Sequence, residues 1–192
     1  MKRIVLASNS PRRRELLENL RIPFIVMRCD IEEKVFEDET PEQIVMALAF
    51  EKAYEVSKKI EDPAIIIAAD TSVFKDKIIG KPKDFEDAFS ILKMLQGDYH
   101  EVFSGLAIID KETGKKVVTY EKTRVYFKEL SDDVIRSYIE TGEVWDKAGA
   151  YGIQGKGGLF VESIVGDYFN VVGLPISKLY DILYRFFNIS LL

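Results

Sequence analysis

A cluster of arginines at the start of a predicted helix is the first candidate for chemistry. Arg12, Arg13 and Arg14 directly follow a serine and a proline. Ser10 can cap a helix, and Pro11 suits its first position. A helix start carries partial positive charge, so three arginines there accumulate like charge unless an anion neutralises them. Free backbone N–H groups and guanidinium groups together bind phosphate. The cluster therefore indicates a phosphate site, with a solvated basic turn as the alternative.

Carboxylates supply the second group of candidates. Asp70 follows the continuous apolar run 64–69, which predicts a buried strand with Asp70 at its carboxyl end, where α/β folds gather their ligands. A carboxylate there can hold Mg²⁺ or accept a proton from water. The alternative is that Asp70 caps the following turn. Glu32 and Glu33 form an acidic pair in a predicted loop, either as further oxygen ligands or as solvated charges.

Two lysines and the single histidine complete the candidates. Lys52 lies in the middle of a predicted helix, where a lysine is usually on the surface. Lys81 lies between Gly80 and Pro82, a flexible and a rigid residue that could fix a cation near a ligand or form an ordinary turn. His100 is predicted to be a hydrogen-bonded strand residue rather than a catalyst.

Composition excludes several classes of protein. The 192 residues are 47% hydrophobic and 31% charged, which is typical of a soluble globular chain. One cysteine and one histidine exclude an intrachain disulfide, a Cys-rich zinc site and a multi-His metal site. A net charge of -5 argues against a duplex-binding protein. The longest apolar runs are too short to span a membrane, and the amino terminus lacks a signal-peptide core, so we expect a cytoplasmic protein with no nucleic-acid or membrane partner.

The elements that must position these residues alternate between helices and strands. Predicted helices begin at Pro11, at the capping box Thr40-Pro41-Glu42-Gln43 (ending near Lys59), after Asp84, after Ser131 and at 176–187. Predicted strands cover 3–7, 24–28, 64–69, 100–109 and 116–127, with hairpins around Asp76 and between 159–165 and 168–172. This order predicts an α/β fold with a mixed sheet. Eight of the twelve glycines lie between Gly142 and Gly173, which predicts tight turns and close backbone approaches, in ligand-lining loops or in ordinary hairpins.

The segments that carry these residues resemble one family as a set. In chain order they are SNSPRRRELL (8–17), IEE (31–33), AFEKA (49–53), AADT (68–71), GKP (80–82), DKAGAYGIQG (146–155) and NVVGLP (170–175). The set resembles the Maf family of nucleoside triphosphate pyrophosphatases, also described as septum-formation inhibitors. The resemblance covers essentially the whole chain. It implies a single domain over residues 1–192, with an elongated mixed sheet flanked by helices, and two lobes around a central cleft, similar to inosine triphosphatase.

The resemblance also implies an activity and a set of roles. Maf proteins hydrolyse a nucleoside triphosphate to the monophosphate and pyrophosphate with a divalent metal, Mg²⁺ or Mn²⁺. By resemblance, Asp70 is the proton acceptor and a metal ligand, Glu33 (or Glu32) binds metal, and Lys52 and Lys81 handle phosphate. Ser8 and Arg13 belong to the substrate-binding motif, and Arg12, Thr71 and Gln154 occupy the positions that characterise the dTTP/UTP-cleaving branch. Modified pyrimidine nucleotides are further candidate substrates.

The amide of Gln154 suits a pyrimidine edge on chemical grounds, because it can accept from an N–H and donate to an adjacent carbonyl. A flipped amide would match cytosine equally well, so a neighbour such as Thr71 must fix its orientation.

Two other functions stay open: a sister branch acting on methylated GTP, and a nucleotide-binding regulator of cell division that acts through a protein partner. The resemblance further implies a homodimer, to which Tyr180, Tyr184, Phe186 and Phe187 could contribute an interface.

Overall fold

The computed structural model describes residues 2–31 and 38–192, and the chain divides into two compact units. The first unit contains the described residues of Met1–Asp70 together with Ser104–Glu121 and Gly173–Leu192. The second unit contains Thr71–Phe103 and Lys122–Val172. The boundary therefore falls between Asp70 and Thr71, two residues that the sequence analysis assigned to one site.

Helices and strands follow one another along the described chain. The strands are β1 (Arg3–Ala7), β2 (Phe24–Met27), β3 (Ala64–Lys75), β4 (Lys77–Ile79), β5 (Tyr99–Asp110), β6 (Lys116–Phe127) and β7 (Val161–Val165). The α-helices are α1 (Pro11–Asn19), α2 (Pro41–Lys58), α3 (Phe85–Leu95), α4 (Asp132–Glu140), α5 (Tyr168–Val172) and α6 (Ile176–Phe187). Two 3-10 helices cover Ala148–Ala150 and Lys156–Phe160.

The strands form a mixed sheet. Among the described residues the hydrogen-bonded order is β2-β1-β3-β5-β6-β7, with β4 paired to β3. Strand β1 pairs in parallel with both β2 and β3, whereas β4 pairs antiparallel with β3 and β7 antiparallel with β6. The predicted α/β class with a mixed sheet is confirmed. None of the described helices has the length and apolar character needed to cross a membrane.

Local sequence signals explain most helix boundaries. Ser10 accepts a hydrogen bond from the backbone of Arg13 and caps α1. Thr40 and Gln43 form the predicted capping box, which begins α2. Asp84 and Ser131 cap α3 and α4 through their side chains, as predicted.

The first unit has a core between α2 and the sheet. Ala49, Ala53 and Val56 of α2 pack against a face that includes Ile66 of β3 and Ala107 of β5. Small residues on this face let the helix approach closely.

Helix α2 approaches the sheet closely at Gly105 in β5. A Cβ atom at Gly105 would lie 1.9 Å from the carbonyl oxygen of Val45 in α2, so the backbones of helix and strand are in direct contact.

The second unit has an aromatic core. Phe127 makes edge-to-face contacts with His100, Tyr151 and Phe160, and Tyr138 packs against Phe160 in the same way. Such contacts add to the free energy gained by burying the rings.

The predicted hairpin around Asp76 is confirmed, because Val73, Phe74 and Lys75 pair with β4. Strand β3 therefore continues past its predicted end at residue 69 to Lys75. One predicted element was wrong. Residues 168–172 form helix α5 rather than the second strand of a hairpin. There the buried amide of Asn170 donates to the carbonyl of Val102 and to the hydroxyl of Thr123, contacts that the local sequence does not reveal.

Candidate active site

A buried ion pair between α2 and β3 lies at the centre of the candidate site in the first unit. Lys52 Nζ is 2.5 Å from Asp70 Oδ1, and the two side chains are only 14% and 11% exposed. A lysine in the middle of a helix usually faces solvent, but Lys52, which the resemblance assigned to phosphate, follows the buried side of α2, three residues after Ala49 and four before Val56. Asp70 continues the face of β3 that includes Ile66 and Ala68, so strand alternation directs it toward the same helix.

Strand alternation separates the next predicted residue from this pair. Thr71 is half-buried and follows Asp70 in β3, where consecutive side chains point to opposite faces. Thr71 therefore does not share the face on which Asp70 contacts Lys52. This placement separates its predicted role in specificity from the predicted role of Asp70 as proton acceptor.

The basic helix start follows β1 in the same unit. Ser8 is buried and its hydroxyl accepts a hydrogen bond from Ser10 N at 3.1 Å, which shapes the turn before α1. Arg13 Nε donates to the carbonyl oxygen of Gly173 at 2.7 Å, so this arginine links the helix start to the NVVGLP segment. Arg14 instead forms a surface ion pair with Glu18. Arg12 lies half-buried in the first turn of α1.

The carboxylates predicted to accompany Asp70 cannot be placed. Glu32 and Glu33 lie outside the described residues. Within residues 2–31 and 38–192, no group of three or more Asp, Glu, His or Cys side chains is arranged to hold a metal ion. Asp70 is thus the one predicted metal ligand whose position the described chain gives.

The remaining predicted residues belong to the second unit. Lys81 is exposed between β4 and α3, and the carbonyl of the preceding Gly80 accepts a hydrogen bond from Gly149 N at 3.1 Å. This bond joins the GKP and DKAGAYGIQG segments. Gln154 is exposed in a turn closed by a hydrogen bond from Gly155 N to the carbonyl oxygen of Gly152 at 3.2 Å.

Three second-unit residues that contact this segment were not assigned site roles from the sequence. Glu143 and Tyr138 hydrogen-bond to the backbone on either side of Gln154. His100 Nε2 lies 2.8 Å from the hydroxyl of Tyr151, in agreement with its predicted role as a hydrogen-bonded strand residue. The concentration of glycines was the one sequence signal for these contacts, because Gly155 and Gly157 lie where a Cβ atom would overlap Glu143 and Tyr138.

Comparison with known proteins gives the family to which this fold and these motifs belong. A profile described as "Maf-like protein" matches residues 3–186. The chain belongs to the Maf family.

Curated relatives are similar over the full length. The chain is 54% identical over 192 residues to a dTTP/UTP pyrophosphatase of Alkaliphilus oremlandii, with 100% of both chains covered. It is 55% identical over 189 residues to one of Caldanaerobacter subterraneus subsp. tengcongensis, covering 98% of this chain and 91% of the relative. A dTTP/UTP pyrophosphatase of Clostridioides difficile is 49% identical over 189 residues, covering 98% of this chain and 97% of the relative.

Solved structures are similar at a lower level. A nucleoside-triphosphatase (dITP/XTP pyrophosphatase) from Mycobacterium abscessus is 18% identical with a TM-score of 0.43, covering 67% of this chain and 75% of that chain. The Ham1 protein of Staphylococcus aureus is 15% identical with a TM-score of 0.44, covering 66% and 72%.

Proposed function

We propose that this protein hydrolyses dTTP and UTP to the nucleoside monophosphate and pyrophosphate, with modified pyrimidine nucleotides as further substrates. The observation that carries the proposal is the 54% identity, over the full length of both chains, to a relative named dTTP/UTP pyrophosphatase. The buried Lys52–Asp70 pair supports it, because it places side by side a carboxylate that could accept a proton and an ammonium group that could contact phosphate.

Asp70 is the proton acceptor in this proposal. Lys52 donates to its Oδ1 atom and so orients the carboxylate, which in this proposal accepts a proton from a water molecule. Attack by that water on the α-phosphorus breaks the bond to the bridging oxygen and transfers a proton to the carboxylate. Lys52 stays close enough to stabilise the negative charge that develops around the phosphate.

The other cations are proposed to neutralise the negative charge that develops on the leaving pyrophosphate. A triphosphate near neutral pH carries about four negative charges, because its terminal phosphate has a second pKa near 6. Arg12 and Lys81 would bind these oxygens, and Ser8 would shape the turn before α1 that carries Arg12. Arg13, through Gly173, would keep the helix start in position and direct its remaining guanidinium nitrogens toward phosphate.

A divalent cation, Mg²⁺ or Mn²⁺, is proposed as cofactor, and the chemistry of Asp70, the one proposed ligand that the described chain places, suits it. Asp70 provides a hard carboxylate oxygen, and Mg²⁺ is commonly bound by one or two carboxylates plus substrate phosphates. Glu33, with Glu32 as the alternative, is the proposed second carboxylate. When bound, the cation neutralises phosphate charge and lowers the pKa of a bound water.

Gln154 and Thr71 are the residues proposed to select the base. Gln154 is exposed on its turn, so its amide is accessible to a pyrimidine edge. Thr71 would fix the orientation of that amide through its hydroxyl. The two residues belong to the same compact unit.

We further propose that residues 1–192 form one Maf-like domain, whose two lobes are the two compact units. The family match over residues 3–186 includes segments of both units and supports this assignment. A cytoplasmic location and a homodimer are part of the same proposal. Tyr184 and Phe186, which are 57% and 49% exposed on α6, are the proposed dimer contacts.

A pyrophosphate-release assay tests the proposed function. The protein is incubated with a panel of dTTP, UTP, dCTP, dATP, dGTP and 7-methyl-GTP, with Mg²⁺ or Mn²⁺. The expected result is pyrophosphate and monophosphate from dTTP and UTP, at rates well above those for purine nucleotides. Preference for 7-methyl-GTP would favour the sister branch. Binding of a nucleotide without hydrolysis would refute the proposed enzymatic activity and favour a nucleotide-binding regulator.

A further inference from the structure

The turn that carries Gln154 is anchored in the second unit by Ile153, the residue that precedes Gln154. Residues 152–155 form a turn closed by a hydrogen bond from Gly155 N to Gly152 O, so Ile153 and Gln154 occupy its two central positions. Ile153 is partly buried against the core of this unit, whereas Gln154 is exposed. The direction in which Gln154 points therefore depends on how the two ends of the turn are held.

One carboxylate and one phenol hold both ends. Tyr138 Oη accepts from Gly152 N at 3.3 Å and donates to Glu143 Oε1 at 2.9 Å. After the turn, Glu143 Oε2 accepts from Lys156 N at 2.9 Å, and Glu143 Oε1 accepts from Gly157 N at 3.3 Å. The chain entering the turn and the chain leaving it are thus connected through a single Tyr138–Glu143 pair.

Close contact favours glycine at the last residue of the turn and two residues after it. A Cβ atom at Gly155 would lie 2.4 to 2.5 Å from the carboxylate atoms of Glu143, and one at Gly157 would lie 2.7 Å from Tyr138 Oη. The backbone beside Gln154 therefore lies directly against the side chain of Glu143.

The charge state of Glu143 agrees with this geometry. Partial burial acts to raise the pKa of the carboxyl, but the donors from Lys156 N, Tyr138 and Gly157 N outweigh it and hold the pKa below its usual value. Glu143 is consequently ionised at neutral pH, and its hydrogen bonds are of the stronger, charge-assisted kind.

We propose that Glu143, together with the hydroxyl of Tyr138, is the positioning residue for Gln154 and thereby determines pyrimidine specificity. The inference rests on the proposed function, in which Gln154 reads the base. Glu143 contacts the backbone of the turn and acts on the substrate only through Gln154.

Glu143→Gln is the main test, because it keeps the size of the side chain and removes its charge and one acceptor. We expect kcat/KM for dTTP and UTP to fall about 10-fold, since hydrogen bonds to charged groups contribute more than neutral ones. The change should appear mainly in KM, and kcat/KM for dATP and dGTP should stay within about 2-fold of wild type. The matched control is Glu140→Gln, which makes the same charge change at an exposed position at the end of α4.

Two further variants separate positioning from general stability. In Glu143→Gln combined with Gln154→Ala, the pyrimidine-to-purine ratio should equal that of Gln154→Ala alone, because Glu143 has no other route to the base. Tyr138→Phe keeps the buried ring and removes only the hydroxyl, so the same ratio should fall less than in Glu143→Gln. This variant also tests the proposal if Glu143→Gln folds poorly, as judged by its melting temperature.

The outcomes are distinguishable. If wild type releases no pyrophosphate from any triphosphate, the proposed function fails and the inference fails with it. If wild type prefers dTTP and UTP but Glu143→Gln and Tyr138→Phe leave the pyrimidine-to-purine ratio unchanged, or slow every nucleotide equally, the inference alone is overturned. Additive loss in the double variant would also overturn it.

Discussion

The single histidine gives a test of the second unit that is independent of catalysis. His100 is 1% exposed, lies edge-to-face on Phe127, and its Nε2 is 2.8 Å from the Tyr151 hydroxyl. Its Nδ1 is buried with no hydrogen-bond partner in the described chain. Burial, with a smaller contribution from the positive charge of Lys75, lowers the pKa of His100 from 6.5 to about 3, and Asp98 only partly opposes this change.

This pKa determines the sign and size of a pH effect on stability. Between pH 6.5 and about 3 the unfolded chain binds a proton at His100 and the folded chain does not. Acid therefore favours unfolding: the contribution of His100 to stability is complete above pH 6.5 and is lost as the pH falls below it. Well below pH 6.5, the free energy of unfolding falls by about 1.4 kcal/mol for each pH unit of acidification. The stabilisation from His100 that is lost between pH 7.5 and pH 5.0 is about 2 kcal/mol.

The variant that isolates this effect is His100→Phe combined with Tyr151→Phe. It removes the titrating ring and leaves no orphaned hydroxyl, while Tyr151→Phe alone keeps the histidine and is the matched control. The free energy of unfolding in urea is measured at pH 7.5, 6.0 and 5.0. We expect the double variant to lose about 2 kcal/mol less than wild type over this range, and Tyr151→Phe to behave like wild type.

An NMR titration gives a direct check, because one histidine gives one ring Hε1 signal. That signal should show no titration between pH 8 and pH 5. A midpoint near 6.5, or equal pH dependence of stability in wild type and the double variant, would refute the burial argument.

Three further predictions concern the active site and the packing of α2. Asp70→Asn should lower kcat for dTTP by about 10²- to 10⁴-fold with nucleotide binding retained, measured by steady-state kinetics and calorimetry; Asp62→Asn, at an exposed position, is the control. Gln154→Ala should lower kcat/KM for dTTP and UTP by about 3- to 100-fold and leave purine triphosphates nearly unchanged; equal slowing of every nucleotide would assign it to phosphate rather than base. Gly105→Ala should destabilise the fold by about 3 kcal/mol or more in urea unfolding, because its Cβ would overlap the backbone of Val45. Gly80→Ala, where the added atom meets open space, should leave the unfolding free energy unchanged.

The sequence predicted those parts of the fold that depend on local signals. The caps at Ser10, Thr40, Asp84 and Ser131 gave helix starts that the structure confirms. The apolar run at 168–172 was assigned wrongly because five residues are compatible with helix or strand, and the deciding contacts of Asn170 come from distant parts of the chain.

In the candidate site, too, local signals could be predicted from the sequence and contacts between distant residues could not. Residue types and motifs identified Asp70 and Lys52 as candidates, but not that they form a buried pair, since 18 residues separate them. Glu143 escaped notice because a glutamate near a helix end normally faces solvent. Only the glycines at 155 and 157 indicated that another group must lie close to the backbone there.

The contact between Val45 and Gly105 also determines how accurately Lys52 is placed. Side chains between a helix and a sheet can change rotamer and let the helix slide, whereas two backbones in contact have no such adjustment. Lys52 follows Val45 by seven residues, close to two helical turns and about 10 Å along the axis. The backbone contact thus fixes the position of α2 on the sheet, and with it the position of the Lys52 ammonium group. We therefore expect substitutions elsewhere in the core of the first unit to alter stability more than they alter the geometry around Asp70.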